Sequence, residues 1–363
     1  MLLVTCFPTA NNGGHRQFMS SEVKGSKRGR GATTSRMRDV ARRAGVSVMT
    51  VSRCLNEPSK VSEEMRERVA AAVKEIGYVH NRLARSLSSN RSNVIGLIVP
   101  SIRNSLFAET IKGISDVLSD NGFQLMIADS GPGLAKEEEA IAAFLAQRVA
   151  GLALHNTSHT PRVPAMIRQA GIPVVENGNL SAAPLDSVVS YSNFEAARAM
   201  TLHLSRMGYR HIGFVSLATR ENDRAMERRR GFLAALGELG RKPDERLIME
   251  RPSGLAAGVE AVVQMIETVP EVDAVFFAGD VLAIGAVLEC QRRGWKVPGR
   301  IAIASFDDLD MLRHVNPPVT SIRLPRYEIG KRSAQCLLDR IQGRTDDGVS
   351  VDLKFEIIQR EST

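Results

Sequence analysis

The chain has 363 residues, of which 43% are hydrophobic and 24% are charged, and its formal net charge is +8. This composition is typical of a soluble globular protein, and no stretch reaches the roughly 18 apolar residues that a membrane span needs. The length allows two or three domains with a large core.

The cysteines and the first ten residues indicate the cellular compartment of the protein. Cys6, Cys54, Cys290 and Cys336 are widely scattered and form no CxxC or CxxH spacing, so neither a zinc site nor a disulfide framework is predicted. The opening residues MLLVTCFPTA lack the basic region and the apolar run of a signal peptide. We therefore expect a protein of the reducing cytoplasm that holds no metal.

The positive charge is concentrated in the first quarter of the chain. Residues 1–93 contain 17 Lys and Arg against 7 Asp and Glu, a net charge of +10, whereas the remainder has a net charge of −2. This asymmetry indicates a polyanion as partner for the basic part, although a basic tail without a partner is the alternative. Residues 1–35, which include GSKRGRGATTS, predict a disordered basic tail.

The pattern of residues 36–79 predicts three short helices. The first covers Met37 to Ala44 and ends before Gly45, which would supply the positive φ of a tight turn. Ser47 is expected to cap the second helix by accepting a hydrogen bond from its first turn, and the third helix opens at Ser62. This arrangement is typical of a helix-turn-helix, and an ordinary helical hairpin is the alternative.

The outer face of the second helix carries side chains suited to DNA. Arg53 can pair with O6 and N7 of a guanine, Val48 and Met49 can pack on thymine methyl groups, and Thr50 suits a phosphate contact. In a basic N-terminal region, this face favours reading of a major groove. The predicted DNA-contacting residues of this helix are Ser47, Val48, Met49, Thr50, Ser52 and Arg53.

After a polar, basic linker at 80–93, short apolar strands alternate with helical stretches. This alternation predicts parallel sheets covered by helices on both faces. VIGLIVP at 94 and HIGFVSL at 211 both open a strand–helix series, so we expect two similar α/β subdomains with a ligand at the carboxyl ends of their strands. No usual nucleotide-binding or hydrolytic motif follows a strand. The predicted strands are 94–100, 123–128, 149–154, 172–177, 211–216, 274–279 and 301–306.

Three stretches, RDVARRAGVSVMTVSRCLN, VSEEMRERVAAAVKEIGYVHNRLARSLSSNRSNVIGLIVP and IAIASFDDLD…NPPVTSI, resemble the lactose/galactose-repressor family of bacterial transcription factors, over about residues 36–362. HTPRVPAMIRQAGIPVVE and SNFEAARAM further resemble its gluconate-operon repressor branch. The resemblance implies an N-terminal all-α helix-turn-helix domain and a two-lobed, doubly wound α/β domain of the periplasmic-binding-protein type. It also implies a homodimer that binds a palindromic operator in double-stranded DNA and responds to gluconate or a related sugar acid.

The resemblance also implies a domain organisation. Residues 80–93 would be a hinge helix that orders only in the minor groove, with Asn81 as its N-cap, Ala84 against the partner hinge and Leu87 wedged between base steps. A linker leucine without a role is the alternative for Leu87. Residues 94–363 would form the effector-binding and dimerisation domain. Its lobes are expected to comprise about 94–190 with 320–335, and 191–319 with 336–363.

An effector site follows from the same resemblance. Phe107 would stack on the ligand, Arg228 would hold a hydroxyl or carboxylate of the ligand, and Asp307 would accept hydrogen bonds from its hydroxyls. Asp280 would either contact the ligand or cap the helix that it begins. These four residues are the predicted effector contacts.

Two further features of the gluconate-like stretches leave alternatives open. His159 and Arg162 of HTPR lie either near the cleft or at the start of a helix, and we favour the helix start. The carboxylates Glu176 and Asp307 would partly repel an acid, so the identity of the effector stays open.

We therefore expect a cytoplasmic transcriptional regulator, with no catalytic residues and no cofactor. A repressor with effector-controlled operator affinity is the favoured function. An activator or global carbon regulator of the same family is the alternative. A ligand-binding protein without a DNA role is less favoured, because it would need export and the chain offers no signal peptide.

Overall fold

The structure is a computed structural model that describes residues 37–78, 92–103 and 105–363. The described residues form two compact units, which divide between Ser92 and Asn93. One unit is helical and the other is of α/β type.

Some sequence predictions lie outside the described residues. They are the basic tail at 1–35 and the hinge positions Asn81, Ala84 and Leu87. The boundaries predicted for the helix-turn-helix domain and the hinge likewise stay predictions.

The described residues of the first unit form three helices, as predicted. They are α1 (Met37–Ala44), α2 (Val48–Asn56) and α3 (Glu63–Ile76), with a 3₁₀ turn at Pro58–Lys60 between the last two. Apolar side chains from all three helices form a single core, because each helix presents one apolar stripe to the others. The buried members of this core are Val40, Ala41, Ala44, Val51, Cys54, Val69 and Ala72.

The turn between α1 and α2 has the predicted chemistry. Gly45 has a φ of +64°, which only glycine adopts without strain. The Val46 amide donates to the Ala41 carbonyl at 3.0 Å and closes α1. The Ser47 hydroxyl accepts from the Thr50 amide at 3.0 Å, so the predicted cap of α2 is confirmed.

The α/β unit contains two sheets, and the first is entirely parallel. Its order is β11-β5-β4-β3-β1-β2. Because β1 lies inside the sheet and the chain winds outward to both sides, helices cover both faces. The strands are β1 (Val94–Val99), β2 (Gln124–Asp129), β3 (Gly151–Leu154), β4 (Val174–Glu176), β5 (Ser187–Ser190) and β11 (Ser350–Asp352).

The second sheet repeats this arrangement with one antiparallel edge. Its order is β12-β10-β9-β8-β6-β7, and only the β10–β12 pair is antiparallel. The strands are β6 (Ile212–Ser216), β7 (Ile248–Glu250), β8 (Ala274–Phe277), β9 (Ala302–Phe306), β10 (Thr320–Arg323) and β12 (Glu356–Ile358).

Eight helices among the described residues pack on these sheets. They are α4 (Ala108–Asp120), α5 (Leu134–Ala146), α6 (Val163–Ala170), α7 (Asn193–Arg206), α8 (Asp223–Glu238), α9 (Leu255–Thr268), α10 (Asp280–Arg293) and α11 (Arg326–Ile341). Each sheet has one apolar cluster on either face, which agrees with the nearly continuous apolar runs of its strands.

All seven predicted strands are present, and five short ones were not predicted. The missed strands are β5, β7, β10, β11 and β12, each of three or four residues. None of them lies in one of the longer apolar runs from which the other strands were predicted. These five strands form because their backbones pair with neighbouring strands of the sheet.

The predicted division of the C-terminal residues between the lobes is wrong in part. Residues 320–335 were expected in the first lobe, which is right for the first part of α11, but β10 belongs to the second sheet. Residues 336–363 were expected in the second lobe, which is right for β12, but residues 336–341 continue α11 on the first lobe and β11 joins the first sheet. The chain therefore crosses between the lobes three times, after β5, after β10 and after β11.

Two glycines explain why α11 packs on the first lobe. A Cβ atom on Gly330 would lie 2.1 Å from the carbonyl oxygen of Thr110 in α4, and one on Gly113 would lie 2.2 Å from that of Tyr327 in α11. The two helices thus approach backbone to backbone, which only glycine allows. The residues that form this contact are more than 200 positions apart. The contact places α11 on the first lobe, although the preceding strand β10 belongs to the second.

Candidate functional site

The N-terminal end of α2 presents an exposed surface with mixed apolar and polar character. Met49 is 65% exposed and Val48 is 41% exposed, which is unusual for large apolar side chains without a partner. Arg53 is also exposed, whereas Val51 on the opposite face is fully buried. Five of the six predicted DNA-contacting residues thus lie within this first part of α2, directly after the sixth, Ser47.

The hydroxyl groups at this end of α2 bond to each other as well as to the backbone. Ser47 Oγ and Thr50 Oγ1 are 2.8 Å apart, and Ser47 Oγ also accepts from the Thr50 amide. One hydroxyl donates in this mutual bond, so the other keeps its proton for an acceptor such as a phosphate oxygen. The helix dipole at this end further favours an anion.

In the α/β unit, Arg228 of α8 is buried and held in one orientation. Its Nε donates to Asn193 Oδ1 at 2.8 Å, and its Nη1 donates to the Ala278 carbonyl at 2.9 Å. The guanidinium lies 3.6 Å from the centre of the Phe306 ring, and its Nη2 is 3.4 Å from the Tyr191 hydroxyl. The hydrogen bonds and the ring contact hold the guanidinium in a fixed position, so it is preorganised to bind a polar ligand group.

Asp307 follows β9 directly and is paired with arginines. Its Oδ1 accepts from Arg326 Nη2 at 2.8 Å, and its Oδ2 is 3.6 Å from Arg228 Nη1. Its φ of +88° is rare for a residue other than glycine, so the loop is held in a strained conformation by its contacts. Two predicted effector contacts, Arg228 and Asp307, are therefore adjacent.

Asp280 is the first residue of α10, and Gly279 occupies the cap position before it. The carboxylate Oδ1 accepts from the Val281 amide at 2.6 Å, while the buried Oδ2 has no partner among the described residues. Burial and the charge of Asp307 together raise the pKa of Asp280 to about 7. One oxygen thus serves the helix terminus, and the other remains available.

Phe107 lies in a 3₁₀ turn at Ser105–Phe107 and is buried. Its ring meets the imidazole of His155 edge to face, with the centroids 4.8 Å apart. Burial and the nearby Arg224 charge lower the pKa of His155 to about 3, so this imidazole is neutral and bonds to Asn177 Oδ1 at 3.2 Å. His155 follows β3, and sequence reasoning missed it.

The HTPR stretch has two separate roles in the structure. Arg162 is the residue directly before α6 and pairs with Glu138 at 2.8 Å on the surface, which agrees with the favoured helix start. His159 does not belong to the helix start. Its side chain is 5% exposed and lies between Glu137 and Glu176, at 2.7 Å and 2.9 Å from their carboxylates.

Hydrogen bonds join the two lobes where these loops meet the start of α8. The amide and hydroxyl of Thr157 donate to Asp223 Oδ2, the former at 3.0 Å. Arg224 Nη1 donates to Asn156 Oδ1 at 2.7 Å. We call these four residues the lobe bridge. The sequence offers no motif for it, because the partners are more than 60 positions apart.

The described part of the chain contains no group of three or more His, Cys, Asp or Glu side chains suited to a metal ion. None of its helices has the length and apolar character needed to cross a membrane.

Comparisons with known proteins extend these observations. A model of the lacI family of bacterial regulatory proteins matches residues 36–81, and a model of a periplasmic binding protein-like domain matches residues 201–363. The HTH-type transcriptional regulator GntR of Escherichia coli (strain K12) is 39% identical over 321 residues, which cover 88% of this chain and 96% of that protein.

Two solved structures are similar over nearly the whole chain. A LacI family transcriptional regulator from Silicibacter pomeroyi has a TM-score of 0.84 at 33% identity, covering 90% of this chain and 99% of that one. The lac repressor dimer bound to operator and an anti-inducer has a TM-score of 0.80 at 25% identity, covering 91% and 99%. The predicted fold class is thus confirmed. The chain belongs to the lacI family of bacterial regulatory proteins and is a DNA-binding transcriptional regulator.

Proposed function

We propose that this regulator is a cytoplasmic repressor that binds a palindromic operator as a homodimer and is controlled by a sugar acid of the gluconate class. The stretches HTPRVPAMIRQAGIPVVE and SNFEAARAM, which resemble the gluconate-operon repressor branch, support the choice of effector class. An activator of the same family would use the same surfaces with the opposite sign.

The proposed DNA-reading surface is the exposed end of α2. Val48 and Met49 offer apolar contacts to thymine methyl groups, and Arg53 offers a bidentate pair to guanine. Ser47, Thr50 and Ser52 lie beside them and suit phosphate or base-edge contacts. We further propose that Asn81, Ala84 and Leu87 act in the minor groove, with Leu87 as the intercalating wedge.

A homodimer is supported by an exposed apolar surface on the second lobe. Leu255 is 46% exposed and Leu288 is 44% exposed. They lie on two helices that approach closely, because a Cβ atom on Gly285, one helical turn before Leu288, would lie 2.1 Å from the Leu255 carbonyl oxygen. We propose that a second copy covers this surface, as two-fold symmetry then presents two α2 helices to a palindrome.

The buried Arg228 carries the effector proposal. Its fixed guanidinium can bind a carboxylate or vicinal hydroxyls, and the unpartnered Oδ2 of Asp280 can accept a hydroxyl proton. The expected repulsion of an acid by Glu176 and Asp307 is offset, because His159 contacts Glu176 and Arg326 pairs with Asp307. We propose Phe107, Arg228, Asp280 and Asp307 as effector contacts.

Selection from randomised duplexes, followed by fluorescence anisotropy, tests both parts of this proposal. The full chain should enrich a palindromic site, and its affinity should fall steeply as salt rises, because lysines and arginines release counterions from phosphate. Gluconate should weaken binding at least tenfold, while glucose, which has no carboxylate, should have little effect.

Each failure has a separate meaning. If no palindrome is enriched, operator binding through α2 is wrong. If gluconate binds the protein but strengthens operator binding, the effector acts as a corepressor. If glucose and gluconate act equally, the acid specificity is wrong.

A further inference from the structure

The loop between β3 and α6 contains a histidine held by two buried carboxylates. His159 Nδ1 is 2.7 Å from Glu137 Oε2, and its Nε2 is 2.9 Å from Glu176 Oε1. Both carboxylate side chains are 1% exposed. With an acceptor at each ring nitrogen, the imidazole is a cation that donates to both.

The electrostatics agree with this geometry. Burial by itself lowers the pKa of His159, but the hydrogen bonds to Glu137 and Glu176 outweigh it and raise the pKa to about 9. Arg162 of the same loop does not take part, since it pairs with Glu138. Asp223 also faces Glu176, and it is paired with Arg224. The imidazolium therefore neutralises part of a carboxylate pair that would otherwise repel itself.

Glu137 also fixes the orientation of the Asn156 side-chain amide. Its second oxygen, Oε1, accepts from Asn156 Nδ2 at 2.9 Å. With its nitrogen fixed in this way, the Asn156 amide must direct its oxygen away from Glu137. That oxygen accepts from Arg224 Nη1 at 2.7 Å, across the gap between the lobes.

The contacts of Arg224 complete the connection. Its Nη1 also bonds to Asp223 Oδ1 at 2.9 Å, and Asp223 accepts from Thr157 of the first lobe. Arg224 and Asp223 open α8, the same helix that carries Arg228 one turn later. An uninterrupted set of charge-assisted bonds thus runs from His159 to the helix that supplies the proposed effector arginine.

We infer that His159 is a positioning residue for the contact between the lobes: through Glu137 and Asn156 it holds Arg224, and with it the start of α8. Its consequence for effector affinity rests on the proposed function, but the contact between the lobes does not. Without the imidazolium, Glu137 and Glu176 repel each other, and Glu137 is no longer held where its Oε1 orients Asn156.

Hydrogen exchange of the full chain without ligand tests the connection itself. His159→Gln keeps a donor but cannot donate to both carboxylates, so exchange should increase in the second-lobe segment 221–226 as well as in 155–160. Arg162→Gln, on the same loop but in a surface pair, is the matched control and should change neither segment.

A second variant separates positioning from local folding. Asn156→Ala leaves the contacts of His159 in place and removes the first-lobe side-chain acceptor of Arg224, so it should also increase exchange in 221–226. If His159→Gln changes exchange only within the first lobe while Asn156→Ala changes segment 221–226, His159 is a local structural residue and the inference is wrong. If Asn156→Ala leaves 221–226 unchanged, the proposed route is wrong.

A double-mutant cycle measures the functional consequence. Calorimetry with gluconate should give a three- to tenfold weaker affinity for His159→Gln and for Arg224→Met, and the double variant should be no weaker than the worse single one. Additive losses would contradict action through Arg224. If wild type does not bind gluconate, the proposed effector fails, whereas the exchange results still decide the role of His159.

Discussion

The position of a functional side chain in this protein is fixed by its hydrogen bonds and packing contacts, and Arg228 is the clearest example. Its guanidinium uses separate nitrogens for Asn193 and for the Ala278 carbonyl, and its face lies on Phe306. A lysine has the charge but not the planar group with several fixed donors. The geometry of the donors, rather than the charge alone, should therefore determine effector affinity.

Arg228→Lys should reduce effector affinity by about 2–3 kcal/mol, or roughly 30- to 150-fold, because at least one buried acceptor loses its partner. Titration calorimetry with gluconate would measure the change. Arg230→Lys, an exposed position two residues further along α8, is the control and should retain wild-type affinity. Equal affinity for wild type and Arg228→Lys would remove Arg228 from the effector site.

Arg53→Ala should reduce operator affinity by about 1–3 kcal/mol and relax the base preference at one position of each half-site. Anisotropy with the selected duplex and its single-base variants would detect both changes. Arg43→Ala is a suitable comparison, since Arg43 is exposed but pairs with Glu75 of α3. A uniform loss over all sequences would assign Arg53 to a phosphate instead.

At the scale of elements, close helix contacts depend on glycine. α4 and α11 meet at Gly113 and Gly330, where the backbones approach too closely for a side chain. This contact ties the C-terminal helix to the first lobe although its preceding strand belongs to the second. Because this close helix contact holds α11 on the first lobe, the chain can cross between the lobes and the first lobe still packs tightly.

Gly330→Ala should destabilise the α/β unit by roughly 2–4 kcal/mol, because the new Cβ atom would overlap the Thr110 carbonyl oxygen and force α4 and α11 apart. Gly237→Ala, near the end of α8 with no neighbour within 4 Å of the new atom, should be neutral or stabilising by about 0.5–1 kcal/mol. Urea unfolding of both variants checks the contrast, and similar destabilisation in both would contradict the steric explanation.

At the scale of the whole molecule, buried charges couple stability to pH. The folded pKa of His159 is about 9, above its ordinary value of 6.5. Its contribution is therefore fully present below about pH 6.5 and is lost as the pH rises to about 9, with a magnitude on the order of 2–3 kcal/mol. The pKa of Asp280 is raised from 3.8 to about 7, so the folded state also loses free energy of unfolding as the pH rises through that range.

Wild type should thus lose unfolding free energy between pH 6.5 and 9 faster than His159→Gln. Denaturant titrations at several pH values would measure both slopes, and the difference between them isolates His159 because Asp280 is common to both proteins. Parallel slopes would show that the imidazole is neutral in the folded state.

Much of the architecture follows from local sequence. The turn after α1, the cap of α2, seven of the strands and the exposed face of Val48, Met49 and Arg53 were all predicted, because propensity, capping and apolar period act over a few residues. Arg228 and Asp307, placed by family resemblance, indeed lie next to each other.

Only the tertiary structure decided what distant residues do together. Glu137, His159 and Glu176 come from three separate segments, and Asn156 meets Arg224 from the other lobe. The assignment of α11 and β11 to the first lobe likewise depends on contacts with α4 and β5. Local sequence specifies which elements form, whereas packing and buried hydrogen bonds between remote elements select their partners, and no local pattern encodes that choice.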